Sequence, residues 1–203
     1  MSTPDAPLVD WAWAGSALAG ESGDLHVVVP FAGGVLAALI DGLGHGPEAA
    51  AASRAAVPVL REGAAEPVDE LMRRCHAALR HTRGAAMSLA SFDGRSGSMT
   101  WASVGNVDCL LLRAPGAVAR PDEAISMRGG VVGYQLPPLR LDTLLVEPGD
   151  TLVMVTDGIR SDFSVGEDIA RPPADCAQAI LRRHGKGNDD AHVLVVRYLG
   201  GGR

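Results

Sequence analysis

Short runs of Val, Leu and Ile, bounded by Gly, Asp or Pro, recur along most of the chain and predict β-strands. The eight predicted strands are Leu25–Val29, Val35–Ile40, Ala86–Phe92, Met99–Ser103, Val107–Arg113, Leu139–Val146, Leu152–Thr156 and Ala191–Leu199. Apolar residues recur at helical spacing in other stretches, and the helices predicted there are Pro47–Leu60, Pro67–Arg80 and Pro173–His184. Pro58 should kink or end the first helix, because proline lacks an amide hydrogen and its ring clashes with the preceding turn.

The order of these elements is strands, two helices, a long run of strands, one helix and a last strand. It lacks the strict strand–helix alternation of a doubly wound parallel sheet, and it favours an α+β fold with antiparallel pairing. We expect two packed sheets with helices covering their outer faces. Since no break in composition separates a second domain, we expect a loose lead-in over residues 1–10 and a single domain over residues 11–200.

Composition and charge exclude several classes of function. The chain of 203 residues has a formal net charge of −6 and a pI near 5.4, whereas nucleic-acid-binding proteins usually carry a clustered excess of Lys and Arg. Its three cysteines show no Cys-x-x-Cys pairing, so neither a disulfide framework nor a thiolate zinc site is indicated. No signal peptide or membrane-spanning stretch is recognisable. We therefore expect a cytoplasmic protein that binds neither nucleic acid nor membrane.

Acidic residues recur at the ends of the predicted strands. They lie in four segments, which are Glu21-Ser22-Gly23-Asp24, Asp41-Gly42-Leu43-Gly44-His45-Gly46, Thr156-Asp157-Gly158 and Asn188-Asp189-Asp190. Magnesium and manganese ions prefer oxygen ligands, and a pair of such ions needs several acids that converge on one pocket. Gly42 is the best candidate for a carbonyl ligand, because glycine lets the backbone approach a metal closely.

Each acidic segment taken singly also has an ordinary structural interpretation. Asp-Gly is a strong turn signal, and Asp24 or Asp189 alone would usually cap a strand end. The positions of Asp41 and Asp157 argue against this structural interpretation, because each residue closes a nearly all-apolar strand. A carboxylate buried there is costly unless something compensates its charge.

The four segments, together with Gly105-Asn106, resemble in order and spacing the signature of the PP2C-type (PPM) metal-dependent protein phosphatases. The similarity runs from about Trp13 to Arg197. It is greatest to the bacterial branch that includes SpoIIE, RsbU and RsbX, and most of all to the RsbX type, the stressosome phosphatase, because the chain begins almost at the first catalytic strand. The resemblance implies a PP2C-like αββα sandwich of two mainly antiparallel sheets flanked by helices.

The resemblance also implies roles for individual residues. Asp41 would bridge two ions of Mn²⁺ or Mg²⁺, with a third ion as a further option, and Gly42 would offer its carbonyl to one of them. The implied catalytic acids are Asp24, Asp41, Asp157 and Asp189; all four would be metal ligands, with Asp190 as a further ligand through a water. His45 would be a supporting residue that orders the loop after Asp41.

Other residues are left with open or structural interpretations. The remaining histidines show no ligand spacing and are interpreted as surface or packing residues; they are His26, His76, His81, His184 and His192. Three arginines are candidates to hold a substrate phosphate, and the sequence gives no reason to choose among Arg54, Arg128 and Arg160.

The function implied by the resemblance is hydrolysis of phosphoserine or phosphothreonine by a metal-activated water. The expected substrates are phosphorylated regulatory proteins, namely STAS-domain proteins of a stressosome or of a partner-switching module with anti-sigma antagonists. An alternative is a catalytically weak pseudophosphatase that only binds such partners, and another is a hydrolase of small phosphate esters. The retained acids favour an enzyme, because a binding module has no need of carboxylates that repel one another without cations.

Overall fold

The computed structural model describes residues 7–114, 121–124, 128–165 and 169–201. These residues form ten strands and three helices. The strands are β1 (Val9–Ser16), β2 (Asp24–Phe31), β3 (Gly34–Gly42), β4 (Ala85–Asp93), β5 (Ser98–Val104), β6 (Asp108–Leu112), β7 (Glu123–Ala124), β8 (Asp142–Leu145), β9 (Thr151–Val155) and β10 (Ala191–Tyr198). The helices are α1 (Pro47–Glu62), α2 (Val68–Ala78) and α3 (Pro173–His184).

The strands are arranged in two antiparallel sheets of five strands each. One sheet has the order β1-β10-β9-β6-β7 and the other has the order β2-β3-β4-β5-β8. Helices α1 and α2 contact the second sheet, and α3 contacts β1 and β10 of the first. The predicted α+β sandwich with flanking helices is therefore confirmed.

The central strands are apolar because both of their faces are buried. In β3, Val35, Ala37 and Leu39 belong to the core between the two sheets, and the alternate residues belong to the core beneath α1 and α2. Strand β10 behaves in the same way, with a third core lying under α3. Since successive side chains of a strand point to opposite faces, a polar residue inside such a strand needs a partner, as Ser88 in β4 has in Ser103.

Two strands were not predicted from the sequence. Strand β1 includes Val9 and Asp10, which the sequence assigned to the lead-in, and it carries few Val, Leu or Ile residues. Strand β7 has only two residues and is too short to show a period. The predicted strand Leu139–Val146 is shorter in the structure, where β8 covers Asp142–Leu145.

Helix α1 does not end at Pro58, so of the two effects predicted for this proline the structure excludes a helix end. The helix continues through this proline to Glu62. Ala56 and Leu60 lie on its buried face, in the core against the sheet. We attribute the continuation to this packing, which offsets the hydrogen bond that proline removes, a loss of roughly 3 kcal/mol in a helix without such support.

Cys75, Cys109 and Cys176 are all buried, and none of them forms a disulfide within the described residues. In the part of the chain that the structure describes, no helix is long and apolar enough to cross a membrane.

Candidate metal centre

Two aspartates face each other where β2 begins and β3 ends. Asp24 and Asp41 are partners in the antiparallel ladder, and the amide of Gly42 donates a hydrogen bond of 3.1 Å to the carbonyl of Gly23 just beyond them. Asp24 is only 4% exposed, and Asp41 is partly buried. The β2–β3 hairpin therefore brings two of the predicted site residues together at one edge of the second sheet.

Thr156 connects Asp24 to the opposite sheet. Its hydroxyl donates a hydrogen bond of 2.7 Å to Oδ2 of Asp24 and accepts one of 2.8 Å from the amide of His192. Thr156 directly follows β9, and His192 is the second residue of β10. A buried hydroxyl thus fixes Asp24 against the first sheet.

Asp157 follows Thr156 and is held by a residue from the β5–β6 turn. The side-chain amide of Asn106 donates a hydrogen bond of 2.5 Å to Oδ2 of Asp157, and Nζ of Lys186 donates one of 2.6 Å to its backbone carbonyl. Gly105-Asn106 was identified in the sequence as part of the family signature, and this side-chain contact was missed. Asparagine is common at turns for purely structural reasons, so its presence there gave no signal for this contact.

Asp190 is engaged by the chain that connects β1 to β2. Its Oδ1 accepts a hydrogen bond of 2.7 Å from the amide of Leu18, and its Oδ2 accepts one of 2.7 Å from the amide of Gly23. Asp189 in turn accepts a hydrogen bond of 2.9 Å from the amide of Asp190. Both oxygens of Asp190 therefore position the segment leading to Asp24, and a role as a metal ligand through water stays a prediction.

Burial and mutual repulsion raise the pKa values of the central carboxyl groups. Burial raises the pKa of Asp24 to about 7, opposed by the Thr156 hydrogen bond and increased by repulsion from neighbouring aspartates. Burial and repulsion, with Asp24 the largest contributor after burial, raise the pKa of Asp41 to about 8. Burial and the charge of Asp189 also raise the pKa of Asp157, while Lys186 lowers it. The ladder pair Asp24–Asp41, the Thr156 bond to Asp24 and the Asp190 bond to Gly23 bring the segments that carry these aspartates together in one region.

This cluster fits divalent cations with oxygen ligands. Its donors are carboxylates and backbone carbonyls, the ligands that magnesium and manganese prefer, and bound cations would relieve the repulsion. Among the residues described, no group of three or more His, Cys, Asp or Glu side chains is already arranged to hold a metal ion. Magnesium usually keeps several waters and takes one or two carboxylates, so an open arrangement suits it.

Gly42 has no room for a side chain. A Cβ atom there would clash with the carbonyl of Ala49 and the hydroxyl of Ser53 in α1. The Ser53 hydroxyl donates a hydrogen bond to the Gly23 carbonyl. Helix α1 therefore packs directly on the end of the β2–β3 hairpin, and the predicted carbonyl ligand at Gly42 stays a prediction.

His45 lies in the exposed loop between β3 and α1. Its side chain makes no hydrogen bond or ion pair with another described residue. The loop is held instead by its backbone, because the amide of Leu43 donates a hydrogen bond of 3.0 Å to the carbonyl of Gly84. Gly44 and Gly46 have φ angles of 85° and 78°, in the left-handed region that favours glycine. The backbone thus shapes this loop, and the supporting role of His45 stays a prediction.

Two histidines that the sequence analysis set aside lie next to Asp24. Nδ1 of His26 and Nε2 of His192 are 2.9 Å apart and hydrogen-bonded, and the Trp13 ring stacks on His192 with centroids 4.9 Å apart. Burial lowers the pKa of His26, and burial followed by the charge of His26 lowers the pKa of His192 to about 3. Both imidazoles are therefore uncharged at neutral pH. They are 166 residues apart, so no local spacing could have indicated the pair.

The structure distinguishes the three candidate arginines. Arg54 lines a pocket that also includes Asp24, and it forms an ion pair with Glu21. Arg160, which follows Asp157 in the sequence, forms an ion pair with Asp162. The backbone carbonyl of Arg128 accepts a hydrogen bond of 2.8 Å from the amide of Gly105. Of the three, Arg54 is the one whose side chain the structure places in a pocket with an aspartate of the cluster.

The chain is similar in sequence to known proteins over most of its length. The family described as Stage II sporulation protein E (SpoIIE) matches residues 32–199. The phosphoserine phosphatase RsbX of Bacillus subtilis (strain 168) is 29% identical over 140 residues, which cover 66% of this chain and 68% of RsbX.

Solved structures support the same grouping. A protein from work on the bacterial stressosome, a modular system adapted to control secondary messenger signaling, superposes with a TM-score of 0.85 and 29% identity, covering 93% of this chain and 99% of that one. RsbX in complex with magnesium superposes with a TM-score of 0.81 and 20% identity, covering 98% of both chains. The predicted PP2C-like sandwich is thereby confirmed.

Proposed function

The chain belongs to the SpoIIE family of PP2C-type, metal-dependent serine/threonine phosphatases, and from this premise we propose that it removes phosphate from phosphoserine or phosphothreonine of regulatory proteins. The observation that carries the proposal is the opposed pair Asp24 and Asp41, whose pKa values are raised to about 7 and about 8. Strongly perturbed carboxyl groups that converge from separate strands are typical of functional sites.

The proposed cofactor is a pair of Mn²⁺ or Mg²⁺ ions, or three such ions. The catalytic residues would be Asp24, Asp41, Asp157 and Asp189, with the Gly42 carbonyl and Asp190 completing the ligand set. When bound, such ions supply an acidified water and neutralise charge on the phosphoryl oxygens. The magnesium in the RsbX structure, which shares this fold, supports the choice of metal.

The residues around the aspartates would hold this site in shape. The Thr156 hydroxyl fixes Oδ2 of Asp24, so that its second oxygen stays free for the site. Asn106 orients the carboxylate of Asp157 in the same way. Asp190 holds the amides of Leu18 and Gly23 and so positions the chain that leads into Asp24. Such supporting contacts are what keeps a catalytic group within reach of its substrate.

The proposed partners are phosphorylated regulatory proteins of the cytoplasm. RsbX acts as a phosphoserine phosphatase, and a similar structure comes from the bacterial stressosome. By this similarity, the substrates of this chain would be STAS-domain proteins of a stressosome, or antagonists of anti-sigma factors. The acidic net charge of −6 agrees with a protein rather than a nucleic-acid partner.

The proposal is tested with a serine-phosphorylated STAS-domain protein, a phosphoserine peptide of the same local sequence and p-nitrophenyl phosphate. With Mn²⁺ or Mg²⁺, we expect phosphate release from all three, a higher kcat/KM for the folded protein, and no release after addition of a chelator. Binding of the phosphoprotein without release would identify a pseudophosphatase. Rapid turnover of the small ester with no preference for the phosphoprotein would identify a small-ester hydrolase.

A further inference from the structure

A pocket of about 370 Å³ opens beside the metal centre, between β1, β2 and α1. It shares Asp24 with the acidic cluster, and the indole of Trp13 forms one of its walls. Leu25, Ala50 and Ala191 supply further apolar surface. The volume lies within the range of about 300–1,000 Å³ in which ligand pockets usually fall, and it is large enough for one bulky side chain.

Trp13 presents an exposed aromatic face to this pocket. The residue is 50% exposed although it lies on a strand of the sandwich. One side of its ring is supported by His192, which stacks on it at an interplanar angle of 6°. The hydrogen bond between His26 and His192 fixes that support in turn. Trp13 is therefore held in place by the two histidines, with half of its surface left exposed.

The charged groups at the mouth of the pocket are already paired. Glu21 and Arg54 both line it, and they form an ion pair with each other. Their formal charges cancel, and the other carboxyl group in the lining, that of Asp24, accepts a hydrogen bond from the Thr156 hydroxyl and belongs to the aspartate cluster. The remaining lining is mainly apolar, which favours an apolar occupant because burial of apolar surface is the main driving force available there.

The position of the pocket identifies its occupant. If a phosphoserine reaches the aspartate cluster, as the proposed function requires, its neighbours in the chain follow at 3.3–3.6 Å per residue at most. A pocket that shares Asp24 with the cluster is then within reach of a residue only one or two positions from the phosphoserine. We propose that this pocket is a specificity site for a large apolar side chain, such as Leu or Met, flanking the phosphoserine of the substrate.

This inference rests on the proposed function, and the test is designed to separate the two. The substrates are phosphoserine peptides that differ only at the positions one and two residues from the phosphoserine. These positions carry Leu, Ala, Arg or Glu. With Mn²⁺, Leu at one of these positions should raise kcat/KM by at least about tenfold over Ala, as expected for methylene groups in an apolar pocket. p-Nitrophenyl phosphate, which has no flanking residue, reports the phosphatase activity by itself.

Variants then assign the preference to the pocket. Trp13→Ala removes the wall, and Ala17→Phe fills the pocket from its exposed rim without disturbing the core. Each should reduce the ratio of kcat/KM between Leu and Ala peptides to about one. Tyr134→Ala is the matched control, because Tyr134 is also an exposed aromatic residue but does not line the pocket, and it should keep the native ratio.

Three results would overturn the inference while leaving the proposed function intact, provided that the serine-phosphorylated STAS-domain protein is still dephosphorylated. They are equal rates for all peptides, a preference for Arg or Glu over Leu, and a Leu preference that survives in both pocket variants. If neither the peptides nor the small ester is hydrolysed with Mn²⁺ or Mg²⁺, the proposed function fails, and the inference fails with it.

Discussion

Asp24 and Asp41 lie directly opposite each other on adjacent antiparallel strands, so the end of the β2–β3 hairpin holds two largely buried carboxyl groups side by side. Like charges in directly opposed positions destabilise a sheet, and burial adds a desolvation cost. The protein therefore carries a local electrostatic strain where the proposed activity needs its ligands, and divalent cations would relieve it.

The metal-free protein should lose stability between pH 7 and pH 8. The pKa values of Asp24 and Asp41 are raised to about 7 and about 8, so the folded state retains protons that the unfolded state has already released. The free energy of unfolding therefore falls as the pH rises through these values. His26 and His192 have the opposite effect, but their lowered pKa values confine it to pH values below about 7.

Urea unfolding in the presence of a chelator measures this dependence. Asp41→Asn should reduce the pH dependence of the free energy of unfolding to the part that Asp24 contributes near pH 7, and Asp175→Asn, at an exposed position of α3, should leave the native slope. Saturating Mg²⁺ should also remove the slope. A metal-free native protein that becomes more stable from pH 7 to pH 8 would contradict the assignment.

Asn106→Ala should weaken metal binding more than it weakens the chemistry. Its side-chain amide orients Asp157, and loss of such a supporting hydrogen bond usually lowers metal affinity by about 10–100-fold. We expect the Mn²⁺ concentration for half-maximal phosphate release to rise by that factor, while kcat at saturating Mn²⁺ largely recovers. An unchanged Mn²⁺ requirement would show that Asn106 does not position the metal ligand.

Thr156→Val should destabilise the fold by about 1–3 kcal/mol, the usual cost of leaving buried polar groups without partners. The hydroxyl serves both Asp24 and the amide of His192, and valine can serve neither. Thr156→Ser keeps the hydroxyl and is the matched control. Thermal unfolding with a chelator present compares them; equal stability of the Val and Ser variants would show that the connection contributes nothing.

Gly42→Ala should destabilise the protein through a steric clash with α1. A Cβ atom at this position would overlap the Ala49 carbonyl and the Ser53 hydroxyl, and overpacking of this kind typically costs about 1–3 kcal/mol. Gly129→Ala is the control, because a Cβ atom there meets nothing within 4 Å. Urea unfolding should separate the two variants, and a Gly42→Ala protein as stable as the control would contradict the close packing.

The sequence was most informative where local patterns determine structure. Strands β3 and β10 have mostly apolar sequences because each is buried on both faces, and Asp41 stood out because it closes such a strand. Helix α3 was predicted with its observed ends. By contrast, β1 was missed, since its exposed Trp11 and Trp13 break the expected pattern.

Contacts between distant parts of the chain could not be predicted in this way. Thr156 bonds Asp24 across 132 residues, and His26 meets His192 across 166. Periodicity reports the faces of one element and says nothing of which elements pair. The resemblance to a family supplied the aspartates as a set, but the pocket beside Trp13 depends on how the edges of the two sheets meet, which only the structure shows.

The most direct test of the central claim is Mn²⁺-dependent release of phosphate from a phosphoserine protein by the native chain, Asp41→Asn and Asp175→Asn, each shown to be folded. Native protein and Asp175→Asn should be equally active, and phosphate release by both should stop when a chelator is added. Asp41→Asn should lose more than about 100-fold in kcat/KM, because metal ions contribute several kcal/mol to such reactions. Native activity in Asp41→Asn, or native activity that persists in chelator, would contradict a metal-dependent phosphatase built on this aspartate cluster.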